Sequence, residues 1–344
     1  MPDNIAPAAA PVKKRIDHVD TMRGMCILFV NYFHSNISLM FLQYVSNICV
    51  HPFLFMAGYF YNPHKELGDT LHKKLRTMIL PYYVFGFGYY VLWLAAFYGT
   101  GRDIITPLRS VLYMPTGDFP IEPSIYFLPM MFCTTMIFAL IQKYVKPEWL
   151  KLLIVLGLTY LGDVWTRICR YRLPMSLDCG LAVLIYPYLG FHGRTIIAFF
   201  DRQIERLRPR LLRIAVFFTA AVLNYICIIS NFIPNLRNGV WSLIPMTHLN
   251  TCVTMLLWVY FFRWFEHVRF GSPIRRALKY IGENSMTFMC FSHIGLYIGL
   301  FAANRLPVGA GTLHDVAYLV IGTLAVVPIV VLFNRTKLHY LFGK

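Results

Sequence analysis

The sequence predicts an all-α fold: a polytopic membrane helix bundle of about ten transmembrane helices. Three observations predict it. Of the 344 residues, 57% are hydrophobic and only 14% are charged, with a mean hydropathy of +0.54; a soluble domain is about 45–50% apolar and about 25% charged. Apolar windows recur along the whole chain, which has room for about ten spans of roughly 20 residues joined by short connections. The basic residues gather between those windows, more densely on alternate connections. Disorder is excluded by 28 Phe, 22 Tyr and 6 Trp.

Residues 1–15 read as a Pro/Ala tail closed by Lys13, Lys14 and Arg15. They do not read as a cleavable signal, because the apolar segment behind them runs far beyond an h-region. The windows then fall at 19–37, 39–61, 77–98, 124–142, 149–163, 176–192, 212–233, 241–262, 279–302 and 315–334, before a short tail at 336–344. Basic stretches separate them in pairs. Lys65, Lys73, Lys74 and Arg76 follow the second window, and Lys143, Lys146 and Lys151 follow the fourth. The sixth is followed by a run from Arg194 to Arg213, the eighth by Arg263 to Lys279, and the tenth by Arg335, Lys337 and Lys344. With the N-terminus in the cytoplasm, the cytoplasmic side holds 24 basic residues and the opposite side seven. That split supports the count of ten and the orientation, with both termini in the cytoplasm, and a place in the cytoplasmic (inner) membrane is the matching expectation.

The net charge of +16 does not indicate nucleic acid, since the basic residues are not collected on one polar element. None of the eight cysteines forms a C-x-x-C pair, and most lie in apolar windows where Cys acts as a small hydrophobe. No metal site is readable. The longest stretch outside the windows, about residues 99–123, has no room for a core, so any chemistry belongs inside the bundle or at its rims.

The first window carries the main signal. Arg23 and His34 are eleven positions apart, about 20° past three full helical turns, so they share a face, separated along the axis by roughly 16 Å. Asp20 precedes Arg23 by three residues and Asn31 precedes His34 by three, which makes each an i,i+3 neighbour on that face. Such a stripe costs several kcal/mol against lipid and must therefore face protein or a wet cavity. Two readings fit it: an interfacial Asp20–Arg23 ion pair with an interior histidine, or the polar wall of a reaction site.

Asp20-x-x-Arg23-Gly24 followed by His34 resembles the Asp-x-x-Arg-Gly…His signature of the membrane-bound acyltransferase-3 family, with its Arg-x10-His spacing. Further fragments are similar in order: Phe53 to Tyr59, with Ala57 where Ser is usual; Lys73-Lys74-Leu75-Arg76 before Pro81-Tyr82; Tyr126-Phe127-Leu128, with Tyr in place of Trp; and Gly282-Glu283-Asn284-Ser285 leading to His293. The likeness runs from about residue 16 to 293. It implies one acyltransferase-3-like transmembrane domain over 16–335, of the short sugar O-acetylase kind. It also implies transfer of an acyl group from a cytoplasmic acyl-CoA, with acetyl-CoA as co-substrate, to a hydroxyl of a surface glycan or lipid-linked saccharide.

The residues suit that chemistry. A sugar hydroxyl needs a base, and imidazole works near neutral pH; His34 is the candidate, as general base or as transient acyl carrier. Arg23 and Arg76, with Lys73 and Lys74, are candidates for the coenzyme A phosphates, although positive-inside anchoring accounts equally for the lysines. The Arg23–His34 rise is comparable to an extended pantetheine arm. Ser285 is a further candidate for the donor, with Glu283 beside it; a helix-start role for this segment is the alternative. Arg167, Arg170 and Arg172, before Asp178, lie on the side assigned as outside and are candidates for an acidic acceptor; pairing with Asp163, Asp178 or membrane lipid phosphate is the alternative. His293 and His248 lie within windows, as catalytic groups or as interhelical hydrogen-bond partners. A transporter or flippase of a lipid-linked sugar would also use an intramembrane stripe and basic rims, but should show interrupted helices at matching positions in two halves. A glycosyltransferase using a polyprenyl phosphate would be expected to place acidic residues in the first external loop, and residues 36–40 contain none.

Overall fold

A chain this apolar can satisfy its backbone inside a bilayer only by hydrogen bonding within its own segments, and helices do so one by one. The computed structural model describes residues 16–34, 39–113, 123–169, 171–230, 244–269, 271–307 and 311–342; among them there is helix and no strand. Arg170 lies outside the described residues. In chain order the helices are α1 (Asp17–Phe33), α2 (Leu39–Ser46), α3 (His51–Tyr59), α4 (Leu67–Lys74), α5 (Leu80–Phe97), α6 (Ile105–Tyr113), α7 (Phe127–Tyr144) and α8 (Glu148–Ile168). They continue as α9 (Leu177–Ala182), α10 (Ile185–Phe191), α11 (Gly193–Arg206), α12 (Arg210–Ile229), α13 (Ile244–Phe265), α14 (Ser272–Glu283), α15 (Ser285–Ala303) and α16 (Thr312–Arg335). A π-helical turn, Leu75–Ile79, joins α4 to α5 without a break.

Six helical stretches are long and apolar enough to cross a membrane: Leu67–Phe97, Ser124–Tyr144, Glu148–Ile168, Arg210–Ile229, Ser285–Ala303 and Thr312–Arg335. The pair Pro174–Ala182 and Ile185–Phe191, bent by 61°, would be a seventh. The chain is a multi-pass membrane protein. The other three windows of the sequence correspond to α1, which is 17 residues long, to α2 and α3 with a break between them, and to α13, which carries Thr247, His248, Asn250, Thr251 and Thr254. The window at 279–302 divides at Asn284, where α14 ends and α15 begins.

Helix α14 is amphipathic. It buries Leu278, Ile281 and Gly282 and exposes Arg276; Lys279 pairs with Asp17 at 2.7 Å, and half-buried Arg275 donates from Nη1 to the carbonyls of Phe265, Glu266 and Val268. Its buried side lies against α1 at backbone contact. A Cβ on Gly24 would stand 1.9 Å from the carbonyl oxygen of Leu278, and one on Gly282 would stand 1.8 Å from that of Asp20. Two residues far apart in sequence thus let one helix rest directly on another. Behind them a buried aromatic core runs through Tyr82, Phe85, Phe138, Tyr186 and Phe288. The chain end joins it: Lys337–Phe342 forms a 3-10 helix, and the Phe342 ring stacks on Phe85 at 5.1 Å and tilts against Phe333 at 5.0 Å.

Candidate functional site

Three elements converge at one end of α1. His34 follows the last turn of α1, and its N–H donates to the Asn31 carbonyl at 3.2 Å. Its ring lies 4.3 Å from that of His293 on α15, tilted by 60°. The 3-10 turn Pro123–Tyr126 enters α7 beside them and brings Ser124 Oγ to 3.0 Å from His293 Nδ1 and 3.2 Å from Ser292 Oγ. Ser292 Oγ also donates to the Met289 carbonyl at 3.2 Å, and the Tyr89 hydroxyl of α5 donates to the carbonyl of Cys290. α15 is thereby held by α5 just below the two imidazoles.

At the other end of α1, Arg23 Nη1 donates to Asp20 Oδ1 at 3.3 Å, and Asp20 is only 4% exposed. Gly282 touches Asp20 from α14, so Glu283, Asn284 and Ser285 stand at the foot of α1, at the junction of α14 and α15. Asn284 Oδ1 accepts from Asn334 of α16 at 2.8 Å, and its own amide donates to the Tyr280 carbonyl at 2.9 Å. The segment therefore closes one helix and opens the next. The structure brings together the two fragments with most sequence signal, 20–24 and 282–285, and it brings His34 to His293. Asn31 does not turn towards His34. Its amide donates to Thr323 Oγ1 of α16 at 3.3 Å, and it anchors the buried side of α1.

Lys73 and Lys74 end α4, and Arg76 lies in the π-helical turn; Lys73 and Arg76 are exposed and Lys74 is half-buried. A π turn within a long helix is a frequent companion of functional sites. Arg167 is exposed at the end of α8. Arg172 donates from Nη1 to Asp178 Oδ2 at 2.9 Å, and the Asp178 side chain is fully buried. The guanidinium and carboxylate thus serve each other, the pairing that the sequence left as an alternative. Met175 and Ser176, between them, adopt φ of 58° and 53°, a strained conformation for residues with a side chain. Replacing Arg172 by Ala leaves a buried carboxylate without its cation, and we expect a loss of about 3 kcal/mol in stability. Adding Asp178→Asn should return most of it. Thermal unfolding of the two variants in detergent checks this, and a double variant no more stable than the single one would remove the pair from that role.

A second polar chain crosses the bundle. Asp163 Oδ2 of α8 lies 2.9 Å from His248 Nε2 of α13, whose Nδ1 is 2.8 Å from the Tyr186 hydroxyl of α10. The His51 ring of α3 meets Tyr186 edge-on at 4.7 Å. Four helices are linked, and His248 serves here as an interhelical hydrogen-bond partner. Sequence reasoning gave no weight to His51, Ser124 or Ser292. The available signal was position: Ser124 stands two residues before Tyr126-Phe127-Leu128, and Ser292 immediately before His293.

Chemically, the end of α1 offers a serine hydroxyl at hydrogen-bond distance from one imidazole with a second imidazole in ring contact, groups able to take and return protons in acyl transfer. A family model described as an acyltransferase domain matches residues 16–335. The chain belongs to the acyltransferase-3 family. It is thus a membrane acyltransferase, and the glycine of its Asp20-x-x-Arg23-Gly24 signature is the one that meets Leu278 of α14. In this acyltransferase the Tyr126-Phe127-Leu128 fragment leads from the 3-10 turn that holds Ser124 into α7. Phe127 meets Phe53 of the 53–59 fragment edge-on at 5.9 Å, so those two fragments pack on each other. No curated protein gives a significant match to the chain.

Proposed function

We propose that this acyltransferase moves an acyl group, an acetyl group in the first instance, from cytoplasmic acyl-CoA to a hydroxyl of a glycan or lipid-linked saccharide at the inner membrane. The observation that carries the reading is the meeting of His34 and His293 at 4.3 Å, at the far end of a helix whose near end carries Asp20 and Arg23. His34 takes the proton of the acceptor hydroxyl, and Arg23 positions the donor. The roughly 16 Å rise between them matches a donor whose phosphates sit at the foot of α1 and whose thioester reaches the imidazoles. Arg76, Lys73, Lys74 and Ser285 complete the donor's surroundings. Among the described residues of the 167–172 cluster, Arg167 is the exposed cation available to an acidic acceptor, Arg172 being engaged by Asp178; Arg170 remains a candidate beside it. Both termini lie in the cytoplasm in this arrangement, and acyl-CoA, which does not cross a bilayer unaided, meets the acceptor within the bundle.

The test uses membrane vesicles containing the protein, acetyl-labelled acetyl-CoA and total cell glycolipid. Label should enter base-labile ester, and only in vesicles that carry the protein. Failure with acetyl-CoA, succinyl-CoA and other acyl donors alike would overturn the reading. A transporter of a lipid-linked sugar would then be favoured by the bent pair of α9 and α10.

A further inference from the structure

Direct transfer from thioester to hydroxyl needs one base, and this site holds two imidazoles and a serine hydroxyl bonded to one of them. We propose that Ser124 is a further catalytic residue: its Oγ carries the acyl group between donor and acceptor. His293 serves the serine oxygen in both half-reactions, and His34 serves the acceptor hydroxyl in the second. The proposal rests on the acyl-transfer reading above and adds a covalent step to it.

The geometry is that of a nucleophile and its base. Ser124 Oγ stands 3.0 Å from His293 Nδ1, within the hydrogen-bond reach that such pairs show. Ser292 Oγ lies 3.2 Å from Ser124 Oγ and is itself held by the Met289 carbonyl, so the serine oxygen sits in a fixed polar corner. Ser124 is held on a short 3-10 turn whose next residue, Ile125, is fully buried. Ser124 itself is only 7% exposed, so an ester formed on it is shielded from bulk water. The second imidazole, His34, lies against the first at 4.3 Å between ring centroids, a place suited to a base for the incoming hydroxyl.

The steps balance. With Nδ1 of His293 accepting from Ser124, the ring starts as the Nε2–H tautomer. Ser124 Oγ attacks the thioester carbonyl and its proton passes to Nδ1. The C–S bond breaks, and Nε2 gives its proton to the departing coenzyme A thiolate, which leaves as the thiol. His293 is now the Nδ1–H tautomer and Ser124 bears an acyl ester. The acceptor hydroxyl then loses its proton to His34 as its oxygen bonds to the acyl carbon. His34 hands that proton to Nε2 of His293, and Nδ1–H protonates Ser124 Oγ as the ester bond breaks. Both imidazoles return to their starting states.

The first measurement needs no acceptor. The purified full-length protein is incubated with acetyl-CoA, and separately with succinyl-CoA, then quenched and read by intact mass and peptide mapping. One acyl group is expected on the peptide carrying Ser124, and none on Ser124→Ala. In His34→Ala the same adduct should form and, when acceptor is added, outlast the wild-type adduct by more than about tenfold, the low end of what a general base contributes being larger still. Ser124→Cys should carry the group as a thioester released by neutral hydroxylamine, whereas the serine ester resists it. An acyl group mapped to His34 or His293 would overturn the proposal, as would no adduct from either donor within a single turnover. So would full vesicle transfer by Ser124→Ala. Wild-type vesicles that label no acceptor would instead count against the acyl-transfer reading itself, which keeps the two failures apart.

Discussion

His34→Ala is expected to lower acyl transfer by about 10²–10⁴-fold, the usual contribution of a positioned general base, while the protein still inserts and folds. The fold should tolerate the change because His34 stands beyond the last turn of α1, where its backbone N–H makes the bond to Asn31 and Ala keeps that group. What is lost is the imidazole against His293. The measurement is labelled ester formed per inserted protein in vesicles, with insertion judged by detergent-solubilised size exclusion. Transfer within a few-fold of wild type would remove His34 from the chemistry and leave His293 with Ser124 as the reacting pair. His34→Gln separates proton transfer from hydrogen bonding: it keeps a donor and acceptor of similar reach but cannot cycle a proton, so it should fall nearly as far as Ala.

Gly282→Val should have the largest effect on stability. Its Cβ would stand 1.8 Å from the carbonyl oxygen of Asp20 and 2.9 Å from the backbone nitrogen of Gly24, and neither backbone atom can move aside alone. α1 and α14 would have to separate. Overpacking a close contact costs about 1–3 kcal/mol even where side chains can yield, and here they cannot, so a loss of at least about 3 kcal/mol is expected on that basis. Gly24→Val meets the Leu278 carbonyl in the same way and should behave alike. Gly88→Ala is the control. Nothing lies within 4 Å of its Cβ, and Ala is a better helix former by up to about 1 kcal/mol, so its thermal unfolding should be unchanged or slightly higher. Equal unfolding temperatures for Gly282→Val and wild type would refute the close crossing. Since Asp20 and Arg23 move with α1, residual folded Gly282→Val should also show a raised apparent KM for acyl-CoA.

Different parts of this reading had different visibility in the sequence. The helical class and the apolar windows were plain, because the requirement to bury or immerse apolar residues acts on every residue of a span and leaves a periodic record. The expected Arg23–His34 stripe was legible for a related reason: helical geometry converts spacing into orientation, although His34 stands just past the last turn of α1. The short or broken crossings were not. α2 and α3 read as one window at 39–61 because a break of a few residues changes hydropathy little. The window at 279–302 hid the boundary at Asn284, where a polar amphipathic helix passes into an apolar one. Arg172 was open between an acceptor and a structural partner, and only the fold around Met175 and Ser176 brought Asp178 to it.

The sequence by itself determined the all-helical membrane class, which follows from composition, and carried the family signature, which rests on motifs in a fixed order. The 100° step of a helix adds the face on which Arg23 and His34 are expected. Tertiary structure decided which distant residues share that face. Gly24 and Gly282 meet across 258 positions and Ser124 and His293 across 169, and no local periodicity encodes either meeting. The physical reason is that hydrophobic burial is non-directional: it drives helices together without naming partners. The partners are selected by close backbone approach at glycines and by the few polar groups that have no other place to bond.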